Sequence, residues 1–317
     1  MQFEDGGDTT LAEPAAEADT TEMRRWLVEL AALVAAGGPQ PAQYPLARAW
    51  LDEVGHAIIN GRLGGAALAR LRQAAGAAMQ AGTMQGRAWL KPLGYAGDFR
   101  IIDDIYCHAT SPDPALAAWD RFFHEQPAVK AVRNRKAYFK QLVRAVQARV
   151  GGPIRVLDVA CGPCRDVAEL LEEDPALPVH LTCLDADERA LAHARTLCDR
   201  WPERTRFIHG NALRLRLRER FDLVWSAGLL DYFDDRGFVR LVSRLLAHAS
   251  EGGGEVVVGN FGDANPSRPY QVWTDWHLAH RSAEQLHTLG RACSVADEAI
   301  TVEREPEGVN LFLRLRC

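Results

Sequence analysis

Residues 154–167, Ile-Arg-Val-Leu-Asp-Val-Ala-Cys-Gly-Pro-Cys-Arg-Asp-Val, constrain this chain more than any other stretch. They read as a buried apolar strand that ends in a turn of small residues and opens directly into a helix. Small residues at that turn let backbone come close to a ligand at the carboxyl end of a parallel strand. That is the crevice where open α/β sheets bind. Taken alone the pattern is ambiguous, since small-residue turns after strands are common.

The continuation makes it specific. A second apolar strand, 180–184, ends on Asp185-Ala186, and an acid at that tip is placed to accept hydrogen bonds from both ribose hydroxyls of a nucleoside. A third strand, 206–209, runs into Gly210-Asn211-Ala212-Leu213. A fourth, 221–225, runs into Ser226-Ala227-Gly228, and a fifth, 255–261, follows a three-glycine turn. Helical patterns over 187–200 and 234–248 separate them. Strands alternating with helices of this length predict an α/β fold with a parallel, doubly wound sheet.

This half resembles the class I S-adenosylmethionine-dependent methyltransferases over about 151–317. The resemblance rests on Asp158, Ala160, Cys161 and Gly162 as the glycine-rich first motif and on Asp185 as the ribose-binding acid. Asn211-Ala212-Leu213 matches the adenine-side motif, and Ser226-Ala227-Gly228 the motif after the fourth strand. It implies a Rossmann-like methyltransferase sheet that binds S-adenosylmethionine and needs no metal. The chain departs from the family pattern where Ala160 and Cys164 replace glycines and where Asn211 replaces a commoner Asp. A dinucleotide-binding Rossmann domain is the alternative, disfavoured because no Gly-x-Gly-x-x-Gly turn is present.

At 317 residues the chain is long enough for two compact units. Its net charge of −5 argues against nucleic acid as the main partner, which wants a basic face. No run of 18 apolar residues and no leader pattern occurs, so no membrane partner and a cytoplasmic location are expected. Seven cysteines without framework spacing suit reduced thiols. Cys161-Gly-Pro-Cys164 has the redox or zinc spacing, but no second pair completes a metal site, and a tight turn explains it better.

Residues 1–20 carry six acids and no basic residue, which reads as an unstructured acidic tail. From Thr21 apolar residues recur at helical spacing, with further helices expected at about 44–60, 65–81, 113–125 and 128–149. The organisation expected is therefore a tail over 1–20, an all-helical lid over 21–150 and the ligand-binding unit over 151–317. A dimerisation element, making a homodimer, is the alternative use of the helices. Within the helical half, Gly94-Tyr95-Ala96-Gly97-Asp98 reads as a shaped loop, and Arg133-Asn134-Arg135 offers two guanidiniums and an amide to a carboxylate.

With Asp275-Trp276-His277-Leu278, those two patches resemble the bacterial 3-hydroxypalmitic acid methyl ester biosynthesis proteins over about 85–317. The resemblance extends to azetidine-2-carboxylate synthases, which cyclise S-adenosylmethionine. It implies either methyl transfer to a small-molecule carboxylate, fatty or aromatic, or ring closure within the cofactor itself. Tyr95, Tyr106, Tyr232 and Trp273 are candidates for aromatic contact with the sulfonium. Asp98 is a candidate for the ligand's amino group, and Arg133 or Arg135 for a carboxylate. Ring closure would need a neutral amine, with Asp98, Asn134, Ser226 or Asn260 as acceptors. The segment 262–281, rich in Pro, Tyr and Trp, would complete the acceptor pocket.

Overall fold

A computed structural model describes residues 20–317. The acidic segment 1–20 lies, but for its last residue, outside the described residues. Seven helices come first: α1 (Thr20–Ala35), α2 (Tyr44–Ile59), α3 (Gly65–Ala74), α4 (Met84–Leu90), α5 (Phe99–Tyr106), α6 (Ala117–His124) and α7 (Pro127–Val150). Their spaced apolar residues meet in one core containing Trp26, Leu30, Trp50, Val54, Leu71, Met79 and Phe122. The helix expected over 65–81 stops at Ala74, and Gly76 turns left-handed (φ +55°) into a short 3₁₀ turn. Pro127 opens α7, where its missing N–H costs nothing, and Gly151 closes it at φ +75°.

The sheet has β1 (Ile154–Val159), β2 (Val179–Asp185), β3 (Thr205–His209), β4 (Leu223–Ala227), β5 (Glu255–Phe261), β6 (Ile300–Arg304) and β7 (Asn310–Arg316). Their order is β3-β2-β1-β4-β5-β7-β6. The first five are parallel, as expected, whereas β7 runs antiparallel to β5 and β6 antiparallel to β7. Strands β2 and β4 flank β1, so chain order reverses at β1. This switch point opens a crevice at the carboxyl ends of β1 and β4. Helices α8 (Arg165–Glu173), α9 (Glu188–Leu197), α10 (Asp235–Leu246) and α12 (Ala283–Ala292) cover the two faces.

Two features join the helical layer to the sheet. The first turns of α7 bury Val129 and Val132 in the helical core, while Phe139, Val143 and Val146 of the same helix pack under the sheet. From the other side, α11 (Arg268–Trp273) docks on α2. Trp273 meets Trp50 edge-on with ring centroids 5.2 Å apart, and Arg72 donates to the Trp273 carbonyl at 2.8 Å. The backbones approach so closely that a Cβ on Gly55 would stand 2.4 Å from Pro269 Cα. No described helix is long and apolar enough to cross a membrane.

Candidate active site

A cavity of about 620 Å³ occupies the crevice. Its floor is the turn after β1, and its walls are the ends of β2 and β4. Its roof comes from residues 95–97, α5, α7, Trp276 and Leu278. That size is within the range of pockets that hold one small organic ligand.

The turn itself is unusual. Ala160, Gly162 and Cys164 all take left-handed φ, at +56°, +56° and +53°. The two positions where the sequence lacks the family's glycines keep a glycine's conformation regardless, and the alanine and cysteine carry that strain. A Cβ on Gly162 would meet no protein atom within 4 Å, so space above the turn is free for a ligand. The Asp185 carboxylate locks the turn: its two oxygens accept from the Gly162 N–H and the Asp187 N–H, each at 2.9 Å. Burial raises its pKa.

Arg135 reaches the cavity from α7 and is buried, with Nε donating to the Tyr106 hydroxyl at 3.1 Å. Burial alone would lower its pKa, but Tyr106 and the carboxylates of Asp231 and Asp166 outweigh that and hold it charged. Burial pushes Asp231 and Asp166 up to about 6 each, and Asp158 well above the usual carboxylate range. Asp231 also accepts the Phe261 N–H at 2.6 Å. Six acids line the cavity (Asp158, Asp166, Asp185, Asp187, Glu188 and Asp231) against Arg135 and Arg189, so its field favours a cationic ligand.

The roof is latched. Tyr95 donates to Asp187 at 3.0 Å, Tyr232 donates to the Ala96 carbonyl at 3.0 Å, and Trp276 Nε1 donates to the Tyr232 hydroxyl at 2.9 Å. Arg189 donates to the Leu93 carbonyl. Gly97, at φ +66°, allows the closest approach: a Cβ there would lie 2.8 Å from Trp276 and from the Tyr232 oxygen.

Of the residues singled out from sequence, Tyr95, Tyr106, Arg135, Asp158, Ala160, Cys161, Gly162, Asp185, Ala186, Asn211, Ala212, Leu213, Ala227, Gly228 and Tyr232 all line this cavity. Six others do not. Asp98 caps α5, accepting from the Arg100 and Ile101 N–H groups. Arg133 points the other way along α7 and donates to the His124 carbonyl, while Asn134 donates to Glu305. Ser226 donates to the Val159 carbonyl and ties β4 to β1. Asn260 bridges Arg281 and the Ala279 carbonyl, and Trp273 lies in the helical core. Adjacent residues on a helix face different ways, and that separates Arg133 and Asn134 from Arg135. Trp276, from the segment expected to complete the pocket, lines it too, whereas Asp166, Asp187, Asp231 and Arg189 line the cavity without having been singled out for it. Asp166 and Asp231 follow the first and fourth motifs closely, but nothing in their spacing distinguishes them from solvated turn acids.

Comparison with known proteins agrees with this geometry. Residues 156–253 match the methyltransferase domain family, a span from β1 through α10. No curated protein matches the chain in sequence. Among solved structures, one described as a possible exported protein from Bordetella parapertussis is 20% identical, with a TM-score of 0.61. The match covers 96% of this chain and 99% of that one, so it takes in the helical layer. A candidate O-methyltransferase from Nostoc punctiforme is 14% identical with a TM-score of 0.51, covering 74% of this chain and 72% of that one. The chain thus has a Rossmann-like methyltransferase fold with a helical layer before it, and its residues 156–253 match a methyltransferase domain.

Proposed function

We propose that this protein is an S-adenosylmethionine-dependent methyltransferase acting on a small molecule. The observation that carries the reading is Asp185. Its carboxylate sits at the tip of β2, held by Gly162 and Asp187 N–H groups, and faces the same cavity as the left-handed turn. That arrangement suits a ribose diol beside a backbone cradle. Bound S-adenosylmethionine would supply an activated methyl group on a sulfonium. Asp166 and Asp231 offer negative charge to its sulfonium and ammonium, and Arg135 offers a partner for its carboxylate. The latched roof narrows access to the cavity, and the helical layer over 21–150 acts as the cover.

For the acceptor, a carboxylate is ionised at neutral pH and needs no base. Tyr232, Phe261, Trp276 and Leu278 give the cavity an apolar side that suits a fatty or aromatic acid. A second reading, cyclisation to azetidine-2-carboxylate, draws on charge. Arg135 is the one buried cation lining the cavity among the described residues. If it holds the cofactor's carboxylate, no buried cation is left for an acceptor's. Asp231, with a pKa near 6, could instead take a proton from the cofactor's own amine.

One experiment separates the readings. The purified protein is incubated with S-adenosylmethionine alone, and the products are analysed by mass spectrometry. Methyl transfer predicts S-adenosylhomocysteine only when an acid acceptor is added. Methylthioadenosine with a mass matching azetidine-2-carboxylate, above the enzyme-free background, would replace that reading with cyclisation.

A further inference from the structure

At the floor of the cavity, two thiols and a carboxylate converge from separate stretches of chain. Cys161 and Cys164 bracket the left-handed turn, with the Cys164 N–H donating back to the Cys161 carbonyl at 3.3 Å. Cys183 comes from β2, where it is the register partner of Asp158 on β1. The Cys164 and Cys183 sulfurs and a carboxylate oxygen of Asp158 all lie within 4.8 Å of one another. All three residues are buried.

Asp158 Oδ2 has no hydrogen-bond partner among the described residues, although it is buried. A carboxylate oxygen in that position is costly unless it is protonated or bound by a cation. Arg135 acts on it from the cavity side but is shared with Asp166 and Asp231. Folding brings these donors together, because β1 and β2 lie side by side with residues 158 and 183 in register, next to the turn that carries Cys164.

We propose that Cys164, Cys183 and Asp158 form a site for one thiophilic divalent cation of the zinc class. Thiolate sulfur and carboxylate oxygen are both zinc donors, three protein ligands leave one coordination position for a further ligand, and soft thiolates select such ions over magnesium or calcium. Metal–sulfur bonds of about 2.3 Å place the sulfurs of a tetrahedral site roughly 3.8 Å apart. The present spacing reaches that by small side-chain rotations. Binding releases the thiol protons to solvent. This inference is independent of the S-adenosylmethionine reading, because the ion is detected without any other ligand.

The test uses the full chain, reduced with a phosphine and freed of metal by chelation and gel filtration. Cadmium is titrated in, and the thiolate-to-cadmium charge-transfer absorption is followed, with zinc as competitor. The expected result is saturation at one equivalent, weakened at least tenfold in Cys183→Ala and Cys164→Ala. The exposed-cysteine variants Cys107→Ala and Cys317→Ala should leave it unchanged. Should the buried variants fail to fold, the wild-type protein decides: zinc should slow alkylation of Cys164 and Cys183, but not of Cys107 or Cys317, in sub-denaturing urea. Absence of the band at one equivalent, a band unchanged in Cys183→Ala, or equal alkylation with and without zinc would show that these cysteines only pack the core.

Discussion

Replacing Asp185 with Ala should act on ligand binding and on the fold by separable amounts. Both oxygens already accept one backbone N–H at 2.9 Å, so the substitution leaves the Gly162 and Asp187 N–H groups without their charged acceptor. A hydrogen bond to a charged group contributes about 1.5–3 kcal/mol. Asp185 lies at the rim of the cavity, where water can refill the vacancy, so the low end applies and about 2–3 kcal/mol of stability is expected to go. Loss of the ribose acceptor should weaken S-adenosylmethionine binding at least tenfold, about 1.4 kcal/mol. Asp185→Asn is the control. It keeps one acceptor oxygen, but its amide nitrogen must face one of the two N–H groups, so it should lose affinity while keeping more of the stability than Ala. Titration calorimetry gives the first quantity and urea unfolding the second. Affinity within twofold of wild type in both variants would refute the placement of the ligand against β2.

Other substitutions probe the turn, the docking of the helical layer and the buried acids. Ala160→Gly relieves a left-handed alanine while adding freedom to the unfolded chain, so a net gain of about 0.5–1 kcal/mol in urea unfolding is expected. A loss would mean the turn is not strained. Gly55→Ala places a methyl 2.4 Å from the Pro269 backbone and should cost about 2 kcal/mol or more; wild-type stability would contradict the close approach of α2 and α11. Asp231, lifted to about 6 by burial, has a folded pKa above its unfolded value of about 3.9. Its stabilising contribution is therefore complete below about pH 4 and is lost as pH rises through about 6. Melting curves of Asp231→Asn should gain on wild type between about pH 4 and pH 7. A constant difference over that range would place Asp231 outside the buried cluster.

Much of the fold was legible because alternating apolar strands and helices repeat from residue 154 onward with turn residues between them. The fifth strand falls on 255–261 in both sequence and structure. The antiparallel β6 and β7 were not foreseen, since their apolar runs follow no crossover pattern and their direction is set by pairing with β5. The first helical half was legible in outline, and its breaks were set by single residues such as Gly76.

The site divides in the same way. Residues contiguous with a strand end, such as Gly162, Asp185 and Gly228, could be placed from sequence, because a strand's carboxyl tip must face the crevice. Residues on helices could not: Arg133, Asn134 and Arg135 are consecutive, yet only Arg135 lines the cavity, since helical rotation turns each by about a quarter of a circle or more. Ser226 and Asn260 satisfy buried backbone groups instead of lining the cavity, a demand that appears only once neighbouring strands and loops are packed. The sequence by itself determined the strand-end turn and therefore the kind of crevice. Tertiary packing decided its contents, gathering Asp158, Asp166 and Asp231 around Arg135 and Cys183 beside Cys164. Charges and thiols distant in the chain interact only where the folded structure excludes water and brings them together.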